Sequence, residues 1–425
     1  MEKRKIKILF VWPPELPYDI TLHYHYTLFG ETAAYFMSQK EFSVDLFDGG
    51  VLGYLKKEYI KKLLNGYDYL VIYSKVENTH SAIRSAEICK NLFSNTKIIA
   101  YGPACFYVPQ FFEKYPFDAY VFGGDSEIAI ESYIQLDQGF IKSSRLGGIA
   151  IGKKIKGKPM YLDPKLWGFP PLDKLPLKVY DYVVSQKQIG RFGKRQISVT
   201  VSRGCPYQCR FCFASLMFGK KERRRPISEL ITFVKTQKDN FDNIQFFSPN
   251  FTLNRDWVIK FCRILFKENI KIKWRCTTRV ELLDEELIKI MGMAGCKSIG
   301  IGIETLDEKE QKKIGKKQNL EKIISRIKMI KRAGINSKAY IMLGLPGQTR
   351  ETLFNTIKTL QEIGAEIRPS SYSPYQNLNR KSTLKEVAAM NRYTYNIDSV
   401  SGLSAVDYLK IILNRRLPNK NEHRN

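Results

Sequence analysis

Ser202–Cys212 reads SRGCPYQCRFC, and this stretch decides fold and chemistry together. Three cysteines, Cys205, Cys209 and Cys212, fall within eight residues. Thiolates this close can converge on one soft metal centre, and three of them leave a four-iron cluster one protein ligand short. The iron left open is a place for a small-molecule cosubstrate. A β-branched run, Ile197–Val201, precedes the motif, and a basic stretch leading into a helix follows it. The competing reading is a zinc knuckle completed by Cys262, Cys276 or Cys296. Those three stand isolated in strand or helix patterns, Cys262 and Cys296 read as packed small apolar residues, and the chain has only four histidines. The spacing favours the cluster.

Outward toward the C terminus, strand and helix patterns alternate. Strands are expected at Ile197–Val201, Ile244–Phe247, Ile272–Arg275, Ser298–Ile303, Ala339–Leu343 and Glu366–Pro369. Helices are expected at Ile227–Lys238, Asp256–Glu268, Asp284–Ala294, Leu320–Arg332 and Glu351–Glu362. Six such units predict a partial (β/α)6 barrel with its functional loops at the carboxyl ends of the strands. The cysteine loop follows the first strand, where that rule puts chemistry. Arg223, Arg224 and Arg225 could meet a carboxylate or phosphate but read first as an exposed charge run.

Toward the N terminus, strands at Ile6–Val11, Val44–Phe47, Tyr69–Ser74, Lys97–Tyr101 and Ala119–Phe122 interleave with helices near Leu28–Gln39, Lys56–Leu64, Ser81–Phe93, Val108–Lys114 and Ile128–Leu136. This is an α/β fold, a doubly wound parallel sheet covered on both faces. Ligands of such sheets bind outside the carboxyl ends of the strands. The loops there are Pro13–Tyr26, Ser74–Thr79, Gly102–Phe106 and Gly123–Ser126. Asp125 or Ser126 is expected to cap the fifth helix. No GxGxxG follows the first strand, which disfavours a dinucleotide. His23 and His25, in LHYHY, read as loop or packing residues before they read as cofactor contacts. Residues 141–195 hold a hairpin, IAIGKKIKGKPMYL, and a proline-punctuated linker, FPPLDKLPLKVYDY.

The C-x3-C-x2-C spacing, with Phe211 before the last cysteine, resembles the radical S-adenosylmethionine (SAM) superfamily. WPP after strand one, IIAYGPACF at strand four and DAYVFGGDSE at strand five resemble the branch with an N-terminal cobalamin-binding-like domain. Tyr101, Ala104 and Cys105 depart from that branch's usual turn after strand four, and Asp125 with Ser126 from its usual turn after strand five. The Asp-x-His-x-x-Gly box of cobalt-ligating members is absent, as it is from many members of the branch. The resemblance implies a 4Fe-4S cluster on the three cysteines, SAM chelated by the open iron, and cobalamin over the barrel mouth. Residue by residue it implies cofactor contacts from Phe211, Ser248, Asn250, Arg279, Glu304 and Gly344. Ser248 and Asn250 in FFSPNF also read as a turn, Arg279 in WRCTTRV as a bracing ion pair, and Glu304 in GIGIET as a helix cap. Gly344 belongs to MLGLPGQT. SYSPYQNL, Ser371–Leu378, departs from the Pro-x-x-Gly-Thr ending of many relatives, and Tyr372 and Tyr375 there are candidates to face the substrate.

The expected organisation is residues 1–140 as the cobalamin-binding-like domain, 141–195 as hairpin and linker, 196–375 as the partial barrel and 376–425 as a helical extension. At 425 residues two or three domains are expected. The five-residue apolar run near the start is too short for a signal-peptide core, and nothing reads as a membrane span, so a cytoplasmic protein is expected. The balance of 69 basic against 42 acidic residues gives a net charge of +27, densest at Lys220–Arg225 and Lys309–Lys317. Such a field attracts anions of many kinds and by itself selects none.

The function expected from the resemblance is methyl transfer to an unactivated carbon of a small metabolite or biosynthetic peptide, with flavodoxin or ferredoxin as electron donor. The alternative is a radical SAM cyclase, epimerase or rearrangement enzyme without methyl transfer. A transfer-RNA methylthiotransferase is disfavoured, because relatives doing that carry a second set of three cysteines and only Cys89 and Cys105 lie near the start. A zinc-stabilised nucleic-acid-binding module is the non-enzymatic alternative.

Overall fold

A computed structural model describes residues 4–14, 26–52, 56–153, 155–180, 195–391, 394–415 and 417. His23, His25 and His423 fall outside the described residues. Five parallel strands open the chain: β1 (Ile6–Trp12), β2 (Phe42–Asp48), β3 (Tyr69–Tyr73), β4 (Lys97–Tyr101) and β5 (Ala119–Val121). Every residue of β3 and β5 and the last five of β1 are buried, because helices cover both faces of the sheet. Phe29, Phe36, Tyr133 and Ile134 pack one face, and Tyr59, Leu63, Ala82 and Cys89 the other. The strand order is β2-β1-β3-β4-β5-β6-β7, so the order in which strands are added reverses between β1 and β3. The last two strands, β6 (Ile149–Ile151) and β7 (Ile155–Lys156), form the hairpin and pair antiparallel with β5 and with each other. The hairpin thus extends the N-terminal sheet.

The linker then wedges between the two halves. Trp167, Leu175 and Tyr180 are buried. Gly168 lies so close to helix Tyr26–Met37 that a Cβ would stand 2.6 Å from both the Glu31 carbonyl oxygen and Ala34 Cβ. Only glycine fits there.

The second half is six parallel strands in the order β15-β14-β13-β12-β11-β8, an open arc in which each strand pairs with the next in sequence. Their spans are β8 (Gln196–Thr200), β11 (Asn243–Phe247), β12 (Trp274–Thr278), β13 (Cys296–Glu304), β14 (Asn336–Leu343) and β15 (Glu366–Ser371). Two short strands, β9 (Ser202–Arg203) and β10 (Arg223–Arg224), pair antiparallel beside it. Asp284, Asn319 and Thr349 start three of the outer helices by accepting the N–H of the third helical residue, each cap contributing about 1 kcal/mol. Val199, Phe246, Trp274, Ile299 and Ile341 fill the core. The C-terminal extension touches both halves: Leu378, Val387 and Met390 pack with Val76 and Ala104 of the N-terminal domain, while Tyr408 donates to Ser371 Oγ at 2.7 Å. No described helix is long and apolar enough to cross a membrane.

Candidate functional site

The cysteine loop leaves β8 through Gly204, whose φ of +91° and a Cβ position 2.1 Å from the Lys221 carbonyl oxygen admit no side chain. Pairing of β9 with β10 draws the two ends of the loop together, and Cys205 N–H donates to the Gly219 carbonyl at 3.0 Å. Each sulfur receives a donor from its surroundings. Asn250 Nδ2 lies 3.3 Å from Cys205 Sγ, Arg279 Nη1 lies 3.6 Å from Cys209 Sγ, and Ala214 N lies 3.5 Å from Cys212 Sγ. Such donors stabilise thiolates and tune a cluster bound to them.

Burial pushes the Cys205 thiol up, and the neighbouring Cys209 adds to the shift. Cys212 is pushed to about 11 by burial, with Cys209, Cys205 and Glu304 adding their negative charge. Cys205 is buried and Cys209 and Cys212 half-buried. Each is met by a hydrogen-bond donor, and the raised thiols of Cys205 and Cys212 suit a cationic iron cluster, whose charge reverses the cost of ionising them. Among the described residues no three His, Cys, Asp or Glu side chains are grouped to hold a single metal ion. Cys262, Cys276 and Cys296 interact with one another inside the barrel core. The fourth ligand that a zinc knuckle requires is not supplied by them.

The remaining candidates gather around this loop. Phe211 packs on Ile314, Leu345 and Tyr372. Ser248 Oγ lies 2.6 Å from Ser202 Oγ, beside the loop's entry. The Arg279 guanidinium stacks over Tyr207 at 4.2 Å and pairs with Glu281 at 3.3 Å, so the ion-pair reading and the sulfur contact hold together. Glu304 ends β13 at a register shift and adopts φ +67°, a left-handed conformation that L residues avoid. Its carboxylate is 2.9 Å from Lys316 Nζ, in a pair only a few per cent exposed. A Cβ on Gly302 would lie 2.7 Å from that ammonium and 2.8 Å from Glu304 Oε1, so the glycine makes room for the pair. Gly344, with φ +83°, backs onto Asn396, whose Cβ a side chain would meet at 2.3 Å. Tyr372 is buried against Phe211, and the Tyr375 ring packs at a tilt against Tyr107, centroids 5.5 Å apart.

Two expectations fail. Arg223, Arg224 and Arg225 are not an exposed run. Arg225 is fully buried and donates to the carbonyls of Thr200, Trp167 and Gly168 at 3.0, 2.8 and 2.9 Å. Arg224 binds the Phe251 carbonyl, and Arg223 grips Asp125 at 2.5 and 3.0 Å. Asp125, in turn, makes no side-chain cap on helix Ser126–Asp137. The demand of two arginines, Arg223 and Arg203, outcompetes the local helix bond. Trp167 of the linker lies under Arg203, Arg223 and Arg225 at 4.5, 5.7 and 5.8 Å, a contact that no pattern along the chain announces. Lys316 and Tyr107, which carried no motif, and Tyr207, inside the cysteine motif but not singled out by it, also belong to the site.

The described fold and the three-cysteine loop define a protein with a radical SAM domain behind a doubly wound sheet. Residues 199–360 match the family model of the Radical SAM superfamily. The chain is 27% identical over 340 residues to an uncharacterized methyltransferase of Pyrococcus horikoshii, covering 77% of this chain and 71% of that one. It is 25% identical over 309 residues to the anaerobic magnesium-protoporphyrin IX monomethyl ester cyclase of Rubrivivax gelatinosus, covering 70% of this chain and 54% of the relative. Among solved structures it resembles the radical SAM methyltransferase TsrM of Kitasatospora setae, solved with cobalamin and a [4Fe-4S] cluster bound, at TM-score 0.69 and 13% identity, over 86% of this chain and 75% of that one. It also resembles OxsB, a cobalamin-dependent SAM radical enzyme solved with aqua-cobalamin, at TM-score 0.69 and 18% identity, over 84% and 52% of the two chains. Residues 199–360 thus form a radical SAM domain. Such a domain implies a 4Fe-4S cluster, SAM and a reductant.

Proposed function

We propose that the enzyme is a cobalamin-dependent radical SAM methyltransferase acting on a small metabolite or biosynthetic peptide in the cytoplasm. In this reading residues 1–140 hold cobalamin, 141–195 link, 196–375 hold the cluster and SAM, and 376–425 close the assembly. The observation that carries it is the meeting of two sets of carboxyl-end loops. The β4 loop brings Tyr107 to the cysteine loop, where burial and the Cys212 charge push its phenol up to about 12. The β5 loop brings Asp125 and Glu127 onto Arg223 and Arg203 at the loop's base. Loops at the carboxyl ends of the sheet thereby meet loops at the carboxyl ends of the barrel strands, where ligands of each fold bind. Likeness of fold to two cobalamin enzymes over most of the chain supports the same reading.

When bound, the cluster with SAM supplies a 5′-deoxyadenosyl radical and cobalamin a transferable methyl group. Cys205, Cys209 and Cys212 would hold three irons, with Asn250, Arg279 and the Ala214 N–H stabilising their sulfurs. Glu304, fixed by Lys316, would accept from ribose hydroxyls, and Phe211 and the Gly344 turn would flank the adenine. Tyr375 and Tyr107, one from each half, would border the substrate.

The test is anaerobic reconstitution with iron, sulfide and hydroxocobalamin, followed by product analysis with SAM and a reductant. Methyl transfer yields both S-adenosylhomocysteine and 5′-deoxyadenosine. Formation of 5′-deoxyadenosine alone moves the reading to a cyclase, epimerase or rearrangement enzyme, which the likeness to the ester cyclase favours as the second choice.

A further inference from the structure

We infer that Lys309, Lys312, Lys313 and Lys317, together with Arg210, form the docking face for an acidic one-electron carrier protein. The inference rests on the cluster reading above. All five side chains are exposed. Within 308–317 the other charges are accounted for. Lys316 is turned inward onto Glu304, and Glu310 is buried, accepting from Thr305 Oγ1 and Thr352 Oγ1 at 2.6 Å each. Only Glu308 opposes the lysines on the outside. The core takes Ile314 and Gln311 from this segment, so packing does not explain the lysines. No ion pair with a described residue engages Arg210, Lys309, Lys312 or Lys317.

Position gives the patch its meaning. Arg210 N–H donates to the Ile314 carbonyl at 3.1 Å, which fastens the lysine-rich loop to the cysteine loop between Cys209 and Cys212. Gly315, with φ +69°, lets the two backbones touch; its Cβ position is 3.4 Å from the Gln208 carbonyl oxygen. The exposed residues Pro206, Gln208 and Arg210 of the cysteine loop therefore stand beside the lysines. An electron entering there makes and breaks no bond; the carrier loses one electron and the cluster gains it. A basic patch at that entry raises the association rate of an acidic carrier in a salt-dependent way. A single-stranded nucleic acid would need stacking aromatics. Residues 309–317 contain none, and Tyr207 is covered by Arg279.

The test compares the wild-type chain with K309E/K312E/K317E and with the control K267E/K271E at the opposite end of the barrel. Lys313 is left alone because its ammonium also meets the Pro346 carbonyl at 3.1 Å. Binding of oxidised flavodoxin is measured by calorimetry at low and high salt, on iron-loaded and iron-free protein. Bleaching of the cluster is then followed with reduced flavodoxin and with dithionite. The first variant is expected to bind flavodoxin at least about tenfold more weakly, to lose the salt dependence and to slow flavodoxin-driven bleaching as much. Its iron content, melting temperature and dithionite reduction should match the wild type. Unchanged flavodoxin binding, equal loss in the control, or loss confined to RNA affinity would overturn the inference. Failure of every form to hold iron would instead overturn the cluster reading, while flavodoxin binding remains measurable on the iron-free chain.

Discussion

Arg203 closes a two-bonded ion pair on Glu127, Nη1 to Oε2 at 3.0 Å and Nη2 to Oε1 at 2.8 Å, and so ties the base of the cysteine loop to the N-terminal domain. Arg203 is two residues before Cys205, and Glu127 sits in the first turn of the helix after β5. Both side chains are essentially buried. Removing one partner strands the other in the interior, at a cost of about 3–5 kcal/mol. Arg203→Met and Glu127→Leu should each lower the denaturant midpoint strongly, and the double variant should lose markedly less than the sum. Simple additivity would show that the two do not act as a pair.

Glu31 makes a second tie between the halves and adds a pH dependence. It accepts the Thr200 N–H at 2.8 Å and lies 4.0 Å from Arg225, with its second oxygen unpartnered. Burial pushes its carboxyl up from 4.5 to about 7, against the pull of Arg225 and Thr200. A raised folded value means that the folded chain binds the proton more tightly than the unfolded one. Stability from this group is therefore greatest below about 4.5 and declines as the pH rises toward about 7. The stability of the wild type relative to Glu31→Gln should fall across that window. A flat difference would contradict the assignment.

The pair of Glu304 and Lys316 depends on a missing side chain. Gly302→Ala would push a methyl against both charged groups, at 2.7 and 2.8 Å. SAM affinity should weaken about tenfold or more, with iron content unchanged, since overpacking by one methyl costs about 1–3 kcal/mol. Equilibrium dialysis with SAM reads this directly; unaltered affinity would remove Glu304 from the cofactor site.

The buried cysteines sort the metal readings. Alanine at Cys262, Cys276 or Cys296 should leave iron and sulfide content untouched and cost only packing. Asn250→Leu should retain the cluster but shift its reduction potential, because the donor to Cys205 Sγ is lost. Loss of metal on replacing any of the three core cysteines would favour the zinc knuckle.

The sequence showed the main strands of both halves to within three residues, because each is a buried β-branched or apolar run between helical patterns, as at Tyr69–Tyr73 and Asn243–Phe247. The three cysteines and Glu304 stood out as candidates for a different reason, through their spacing and flanking glycines. What escaped were the contacts between segments distant in the chain. Arg225 meets Trp167 and Gly168 some sixty residues upstream, and Asp125 abandons its helix for Arg223. A row of basic residues looks the same whether solvent or carbonyl oxygens receive it. Lys316 was hidden similarly, one lysine among five that alone turns inward.

Anaerobically reconstituted wild-type protein and its Cys209→Ala variant, analysed together for iron, sulfide and nucleoside products, give the most direct measurement. The wild type should hold about four irons and four sulfides per chain and release 5′-deoxyadenosine from SAM on reduction, and the variant should do neither. A wild type without iron and sulfide, or a variant that still forms 5′-deoxyadenosine, would contradict a SAM-cleaving cluster on the three cysteines.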